Sequence, residues 1–446
     1  MLLINEYYMV ASFREIYINP YLIFERLNKD YYVVVNPLKK HTVRLLTTAQ
    51  VKLLNLLKDN IDNDLINHIF THDNFKVFYN LMECDGFVGN KPILPSIDSY
   101  KSNWLNLWVH LTDSCNLRCK YCYIQTKDSN SVMSEAIMQT LISKILQTVL
   151  EENTKVVNIR FSGGEAFLYY KKTINFIHEL REKLSVLNCK LYITFLTNLT
   201  ILNDEILSFI KKENISISAS IDGIGDYNDK NRIFANGSGT YKIIEQNIST
   251  LVSNGIYPNL MTVVTNQSMD GLPLMTLYAI KHNLNIRYSI VYHEDFDYEK
   301  ALKIFKKCYS YFKMAIKNGY KFRDKHRLCD LKFSNFSDRA CSSGRDNAAI
   351  YTNGQIYFCH QEVGIKKSIG SIFDKENILS IIRNGDLYKD TPINPECTVC
   401  NYRFICSSGC PISRENGKSK SCNFYQQIIP TIFNLIGYEK LLLLDK

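Results

Sequence analysis

Residues 112–125 read TDSCNLRCKYCYIQ and hold three cysteines, Cys115, Cys119 and Cys122, in a C-x3-C-x2-C spacing. The apolar residues 105–111 precede them and predict a β-strand that runs into a cysteine-bearing loop. An iron–sulfur cluster is usually held by four thiolates, so three thiolates leave one iron with an open position. Open positions are typical of reacting metal centres. The alternatives are a zinc loop or a chance group of thiols, although zinc cysteines usually come as two separated pairs.

The spacing, with aromatic Tyr121 before the third cysteine, resembles the signature of the radical S-adenosylmethionine (radical SAM) enzymes. The resemblance implies that Cys115, Cys119 and Cys122 hold a 4Fe–4S cluster whose open iron binds the amino and carboxylate groups of SAM. In that family the reduced cluster cleaves SAM to a 5'-deoxyadenosyl radical, which takes a hydrogen atom from the substrate.

Composition narrows the class of protein. The chain has 446 residues, a net charge of +9 and 46% hydrophobic residues, as in a soluble globular protein of two or three domains. It has no apolar run of about eighteen residues, so no membrane span is predicted. The basic residues are not clustered, so no nucleic-acid partner is predicted. The 14 cysteines, with an N-terminus unlike a signal peptide, predict metal or redox chemistry in the cytoplasm.

Residues 1–95 are predicted to form a first domain. β-Rich segments over residues 21–27, 31–36 and 42–46 are followed by three helical patterns, the first capped by Thr48, the second by Asp62 or Asn63, and the third starting at residue 72. This order resembles the winged-helix-like peptide-recognition domain of enzymes that modify ribosomally made peptides. There a leader peptide adds a strand to the edge of the sheet. The alternatives are a packing extension of the catalytic domain or a DNA-binding winged helix.

Residues 96–300, after a linker near residues 91–102, alternate strand and helix patterns. Strands are predicted over residues 105–111, 156–161, 191–196, 215–221, 257–264 and 285–291, with a helix after each of the first five. Ser134 and Asn203 are the predicted caps of the first and third of these helices. Such alternation predicts an α/β fold with a parallel sheet, and right-handed crossovers would curl it into a partial (β/α)6 TIM-like barrel. Barrels of this kind carry their chemistry at the C-terminal ends of the strands, where the cysteine loop is predicted to lie.

The second predicted strand ends in Gly163, Gly164 and Glu165. Glycine lets a backbone approach a ligand closely, and a carboxylate accepts hydrogen bonds from an ammonium group. At this distance from the cysteine loop, the turn resembles the radical SAM element that contacts the amino group of SAM. Ala166 follows, where the family usually has proline.

Other strand ends also carry polar residues. Asn198, Ser220 and Asp222 are candidates for contacts to the ribose and carboxylate of SAM, and ordinary turn capping is the alternative. Arg232 lies in a segment resembling the one in which an arginine approaches the SAM carboxylate, with a surface salt bridge as the alternative. Tyr292 and His293 end the sixth strand and are candidates for the pocket lining.

Residues 301–446 are predicted to form a bridging helix and a cysteine-rich domain. A C-x2-C-x5-C-x3-C run begins at Cys397. The pattern resembles the SPASM domain, which implies two auxiliary 4Fe–4S clusters; zinc is the alternative. The resemblance assigns the first cluster to Cys341, Cys359 and Cys410, and the second to Cys397, Cys400, Cys406 and Cys422. Cys329 is a candidate fourth ligand of the first cluster, which otherwise has an open iron. The remaining Cys84, Cys189 and Cys308 are predicted to be buried small apolar residues.

The resemblance as a whole implies a radical SAM/SPASM peptide maturase. Its predicted substrate is a ribosomally made precursor whose leader binds the N-terminal domain, and its electron donor is a flavodoxin or ferredoxin. The leading predicted product is a cysteine thioether of sactipeptide or ranthipeptide type, followed by a cyclophane-type carbon–carbon crosslink. An anaerobic sulfatase maturase, which makes formylglycine, is disfavoured because those enzymes have aspartate where His360 follows Cys359. The intact cysteines and Glu165 disfavour a binding protein on an inactive scaffold. His360 and Glu362 are predicted to lie near the substrate.

Overall fold

The computed structural model describes residues 16–39, 42–58, 73–91, 93, 102–124, 131–291, 295–322, 329–331, 333, 339–363, 366–384 and 393–444. Its first strands are β1 (Tyr17–Ile18), β2 (Ile23–Arg26), β3 (Tyr31–Val35), β4 (Val43–Thr47) and β5 (Val88–Gly89). Strands β2, β3 and β4 form an antiparallel sheet, and β1 pairs with β5. The three strands predicted between residues 21 and 46 are therefore confirmed.

Helices Thr48–Lys58 and Asp73–Cys84 follow in this first unit. Thr47, rather than Thr48, caps the first helix: its hydroxyl oxygen accepts from Gln50 N at 3.2 Å, and Gln50 Oε1 accepts from Thr47 N at 2.8 Å. This reciprocal capping box corrects the predicted cap. The helix predicted after Asp62 or Asn63 lies outside the described residues.

Both faces of the β2–β3–β4 sheet are covered. Val34 and Leu46 pack with the two helices, whereas Val33 and Val35 belong to the main hydrophobic core. The C-terminal helix Cys422–Leu444 lies against this second face, where a Cβ on Gly437 would come within 2.3 Å of Val33. The first unit is thus packed tightly against the last helix of the chain.

A nine-stranded sheet forms the centre of the molecule. Six of its parallel strands are β6 (Trp104–Thr112), β7 (Val156–Gly163), β8 (Lys190–Thr197), β9 (Ser216–Ser220), β10 (Asn259–Val264) and β11 (Ile286–Ile290). They lie side by side in chain order, from β6 to β11. All six predicted strands are confirmed to within a few residues, and their C-terminal ends share one edge of the sheet. The prediction succeeded because parallel neighbouring strands require a crossover segment between them, and the alternation of strand and helix patterns indicates such crossovers.

Helices connect these strands. They span Glu135–Glu152, Tyr170–Val186, Asp204–Lys212, Asp226–Asp229, Tyr241–Ser253 and Leu272–Lys281, and Tyr298–Lys317 follows β11. Ser134 and Asn203 cap two of them as predicted, since their side chains accept from Ile137 N and Ile206 N. Side chains alternate along β6, so Leu105 and Leu107 are fully buried in the core. Trp108 projects from the opposite face, here called the inner face.

The C-terminal part of the chain extends the same sheet, which the sequence analysis did not predict. Strand β12 (Asn347–Ile350) pairs in parallel with β6, and β13 (Gln355–Tyr357) and β14 (Gly370–Ser371) continue it antiparallel. The elements between β14 and the C-terminal helix Cys422–Leu444 are short: helices Ile378–Asn384, Pro395–Thr398 and Arg403–Cys406, and strands β15 (Arg414–Glu415) and β16 (Lys418–Ser419). The fold is α/β with a large parallel sheet. In the part of the chain that the structure describes, no helix is both long and apolar enough to cross a membrane.

Candidate active site

The cysteine loop leaves the C-terminal end of β6. Cys119 and Cys122 are joined by a tight turn, with Cys122 N donating to Cys119 O at 3.1 Å. Side-chain nitrogens approach two of the sulfurs: Asn198 Nδ2 lies 3.8 Å from Cys115 Sγ, and Arg232 Nη1 lies 3.8 Å from Cys119 Sγ. Such donors stabilise negative charge on sulfur. The donor set therefore fits an anionic thiolate cluster.

Burial raises the pKa of the Cys115 thiol to about 12 and that of Cys119 to about 11. A bound metal would supply the positive charge that holds them as thiolates. Within the described residues, no three His, Cys, Asp or Glu side chains lie close enough together to hold a single metal ion. An iron–sulfur cluster does not require such a group, because its thiolates bind different iron atoms.

The two glycines at the C-terminal end of β7, Gly163 and Gly164, let the chain pass directly against the start of the cysteine loop. A Cβ on Gly163 would lie 2.2 Å from Thr112 O, and one on Gly164 would lie 2.2 Å from Ser114 O. Gly164 N donates to Thr112 O at 2.7 Å, and Glu165 N donates to Ser114 O at 2.9 Å. The close approach that these glycines permit is therefore to the cysteine loop. Their predicted contact with SAM stays a prediction.

Glu165 is buried beside this turn, with 1% of its surface exposed. Its carboxylate accepts hydrogen bonds from Phe167 N at 2.9 Å, Thr197 Oγ1 at 2.7 Å and Asn198 N at 2.7 Å. Burial raises the pKa of Glu165, and these donors only partly offset that effect. A carboxylate has about four acceptor positions, so one remains for a further donor such as an ammonium group.

Arg232 is buried, so the surface salt bridge that was the alternative for it is wrong. Its Nε lies 3.1 Å from Asp222 Oδ2, and the same oxygen accepts from Tyr121 OH at 2.5 Å. Val263 N donates to Asp222 Oδ1 at 3.0 Å. Burial lowers the pKa of Arg232, but the charge of Asp222 outweighs it, so the guanidinium stays charged. Asp222 thus orients both Arg232 and the aromatic residue of the cysteine loop.

Asn198 also braces the cysteine loop, because its Nδ2 donates to Asn116 Oδ1 at 2.9 Å. Its Oδ1 accepts from the backbone and hydroxyl of Thr200 at 2.9 and 2.7 Å, as in turn capping. Ser220 is the last residue of β9 and is partly exposed. The roles of Asn198, Ser220 and Asp222 towards SAM stay predictions. Tyr292 and His293 lie outside the described residues.

The C-terminal cysteines gather into two groups. Burial raises the pKa of Cys359 to about 12, and the charges of Cys410 and Cys341 add to this effect. The pKa of Cys406 is raised to about 12 by burial and by the charges of three neighbouring cysteines, Cys422, Cys397 and Cys400. The grouping is the one implied by the SPASM resemblance. That these groups bind clusters stays a prediction.

The remaining cysteines differ from one another. Cys189 and Cys308 are buried as predicted, whereas Cys84 is exposed, so the prediction of a buried Cys84 is wrong. Its position in the last turn of a surface helix explains the difference. Cys329 is buried, and burial raises its pKa to about 12. It stays a candidate fourth ligand.

His360 and Glu362 have different surroundings. The His360 ring stacks on Trp108 with centroids 4.1 Å apart, and Tyr123 meets its edge at 5.4 Å. Burial lowers the pKa of His360 to about 3, so the ring is neutral. Glu362 is buried, and its Oε1 pairs with Lys366 Nζ at 3.0 Å. The structure thus places His360 against the inner face of β6 and ties Glu362 to a lysine.

Several residues near His360 were missed by the sequence analysis. Trp108 and His110 occupy alternate positions on β6, and Arg160 lies over the Trp108 ring at 5.7 Å. His110 is fully buried, and in the described part of the chain neither of its ring nitrogens has a hydrogen-bond partner. The alternation of side chains along a strand could have identified them, because every second residue lies on the same face of the sheet. Trp108 and His110 are related in this way within the first predicted strand.

Comparison with known proteins agrees with this geometry. Residues 109–276 match the sequence model of the Radical SAM superfamily. The chain is 25% identical to the cysteine-type anaerobic sulfatase-maturating enzyme of Clostridium novyi, over 68% of this chain and 87% of that protein. It is 20% identical to the radical SAM cyclopropyl synthase TigE of Paramaledivibacter caminithermalis, over 90% of this chain and 89% of that protein.

Two solved structures share the fold. Native anSMEcpe with bound AdoMet and Cp18Cys peptide superposes with a TM-score of 0.59 at 18% identity, covering 76% of this chain and 99% of that one. Streptococcus suis SuiB bound to precursor peptide SuiA gives a TM-score of 0.51 at 16% identity, covering 88% of this chain and 95% of that one. With its three-cysteine loop at the C-terminal end of β6, the chain is an enzyme that contains a radical SAM domain.

Proposed function

We propose that this enzyme oxidatively modifies a ribosomally made peptide, with a cysteine thioether crosslink as the leading product. The observation that carries the proposal is the convergence of Glu165, Asn198 and Arg232 on the cysteine loop from the segments that follow β7, β8 and β9. These residues surround the thiols with one carboxylate and two nitrogen donors. Amino and carboxylate groups of SAM would find complementary partners there.

Cys115, Cys119 and Cys122 would hold the 4Fe–4S cluster. When bound, that cluster supplies the electron that cleaves SAM to a 5'-deoxyadenosyl radical. Glu165 would accept from the SAM ammonium through its remaining acceptor position, and Arg232 would face the SAM carboxylate. Asp222 fixes the Arg232 side chain in advance, so little conformational freedom is lost on binding.

A peptide substrate is supported by the relatives. SuiB and anSMEcpe were each solved with a peptide bound, and both share the fold. The β2–β3–β4 sheet offers strand edges to which a leader can add, since main-chain hydrogen bonds give affinity there. Cys341, Cys359 and Cys410 would hold one auxiliary cluster, and the four remaining C-terminal cysteines the other. A flavodoxin or ferredoxin would deliver the electron.

Two other products are candidates. A carbon–carbon bond is supported by the likeness to the cyclopropyl synthase TigE, which extends over 90% of this chain. Formylglycine formation is supported by the likeness to sulfatase-maturating enzymes. The position after Cys359 separates this chain from the pattern expected of that class, because a neutral histidine stands there in place of aspartate.

Anaerobic reconstitution with iron and sulfide tests the proposal. With SAM and a reductant, the protein should release 5'-deoxyadenosine, and replacing Cys115, Cys119 and Cys122 together with alanine should abolish the release. Cleavage that persists in the triple variant would refute the assignment. Mass spectrometry of a cysteine-containing peptide then separates the products. A crosslink retains the sulfur and loses two hydrogens, whereas formylglycine from cysteine loses the sulfur.

A further inference from the structure

The environment of His360 gives it a role that the sequence analysis did not assign. Its Nδ1 lies 3.9 Å from the sulfur of Cys359, within the range of a hydrogen bond to sulfur. Cys359 belongs to the group with Cys341 and Cys410. We propose that His360 is a positioning residue that donates a hydrogen bond from Nδ1 to the Cys359 thiolate and so raises the reduction potential of the first auxiliary cluster. The inference rests on the proposed function, because it takes that group to hold a cluster.

The His360 ring is fixed by two aromatic neighbours. Trp108 stacks on one face, with ring planes 14° apart, and Tyr123 meets it edge-on at 71°. These contacts come from β6 and from the residue after Cys122, so two separate parts of the radical SAM domain set the ring orientation. A ring held in this way keeps Nδ1 directed at sulfur without further loss of entropy.

The chemistry of the sulfur settles the direction of the hydrogen bond. A thiolate that binds iron carries no proton and can only accept. A neutral imidazole has one donor and one acceptor nitrogen, so the nitrogen that faces the sulfur must carry the proton. His360 therefore adopts the Nδ1–H tautomer when the cluster is bound, and its Nε2 is left as an acceptor.

A donor to a cluster sulfur changes the energy of reduction. The electron added on reduction increases the negative charge on the sulfurs, and a hydrogen-bond donor stabilises that charge. The reduced state is favoured, and the potential rises. Net oxidation of a peptide requires an electron acceptor, and a higher potential makes this cluster a better one. His360 thus affects the electron exit without touching the substrate.

Variants at position 360 separate this role from that of a proton acceptor near the peptide. His360→Phe keeps the aromatic stack on Trp108 but removes the donor, and His360→Asn keeps a donor. Both are made in the background that lacks Cys115, Cys119 and Cys122, so only the auxiliary clusters give a signal. A matched control is His282→Phe, because His282 also packs on an aromatic ring, with its centroid 4.5 Å from that of Tyr278.

The readout is the midpoint potential of each reduced cluster, followed by electron paramagnetic resonance. His360→Phe should shift one of the two signals to lower potential, with a smaller shift in His360→Asn and none in His282→Phe. A fully loaded His360→Phe protein whose potentials equal those of the parent would overturn the inference. Iron and sulfide content is measured first, because a parent protein without auxiliary clusters would instead contradict the proposed function.

A second measurement needs no substitution at position 360 and applies even if that variant does not fold. Protein grown with 15N-histidine is reduced, and pulsed electron paramagnetic resonance is used to search for nitrogen and exchangeable-proton couplings. We expect a histidine 15N coupling and a proton coupling that disappears in D2O. Reduced auxiliary clusters without a histidine coupling would overturn the hydrogen bond.

Discussion

The cysteine loop after β6 and the cysteine run over residues 397–422 hold similar ligands in opposite ways. The first is braced by side chains that are themselves anchored in the sheet, such as Asp222 beneath Arg232. The second is built from helices of four residues and strands of two, and only its last cysteine, Cys422, begins a long helix. Its backbone adopts left-handed conformations at Ser407, Ser408 and Gly409, with φ of 49°, 62° and 80°. The first site is thus shaped by the protein alone, whereas the second is expected to need its metal.

Iron removal should give the largest difference between the two regions. Without metal, few regular hydrogen bonds remain to hold residues 397–422, and metal binding supplies folding free energy in such segments. We expect hydrogen exchange to become fast over these residues after chelation, while β6–β11 keep their protection. Deuterium uptake measured by mass spectrometry checks this. Equal protection with and without iron would show that the second region is also shaped by the protein alone.

Gly164→Ala tests the bracing of the first region. The added methyl would lie 2.2 Å from Ser114 O, which is backbone and cannot rotate away, so the cysteine loop must move. We expect SAM cleavage to fall to near the level of the variant without its three cysteines. The control is Gly89→Ala, whose methyl would meet its nearest atom, Lys91 O, at an ordinary 3.6 Å. Wild-type rates of 5'-deoxyadenosine release in Gly164→Ala would contradict the close contact.

Arg414→Ala tests the second region in the loaded protein. Arg414 donates to three carbonyl oxygens of its left-handed turn: Ser407 O at 2.8 Å, Ser408 O at 3.1 Å and Gly409 O at 3.1 Å. One hydrogen bond to a charged group contributes about 1.5–3 kcal/mol, so we expect the loss of these three bonds to ease local opening by at least that amount. Hydrogen exchange near residues 407–409 measures it. Unchanged exchange would mean that the bound metal alone fixes this turn.

Glu213→Gln has the smallest expected effect and acts on the sheet scaffold through pH. The buried carboxylate of Glu213 contacts Arg181 at 2.6 Å and His178 at 2.8 Å. Burial raises its pKa, but these two partners outweigh burial, so the pKa lies below the usual 4.5. Its stabilisation is therefore present above pH 4.5 and is lost as pH falls through the folded value. The variant should be less stable by about 1–3 kcal/mol at pH 7.

Denaturant unfolding of metal-free protein at several pH values measures this difference. It should shrink steadily below pH 4.5, because wild-type Glu213 then becomes protonated and neutral like glutamine. A difference that stays constant down to pH 3 would place the stabilisation in packing rather than charge. Exchanging the exposed Glu205 for glutamine is the control, since its partner Lys171 is also exposed and such pairs contribute little.

The sequence predicted the six parallel strands because apolar segments and helix caps such as Asn203 are local signals. It also predicted that the cysteine loop lies at the C-terminal end of a strand, because the loop directly follows that strand in the sequence. It did not predict that Tyr121 contacts Asp222, a residue 101 positions away. Nor did it predict that β12 extends the sheet beside β6. Pairings of this kind depend on tertiary packing, and a single sequence carries no local signal for them.

The contact of Gly437 with Val33 has a consequence for synthesis of the chain. These residues stand at opposite ends of the sequence, yet a methyl group on Gly437 would not fit between the helix and β3. A ribosome releases the N-terminal strands long before residue 437. The apolar face formed by Val33 and Val35 therefore stays uncovered until the helix that contains Gly437 has been synthesised. The β2–β3–β4 sheet is thus made well before the helix that completes its packing, and its uncovered face would be a binding surface for a chaperone in the meantime.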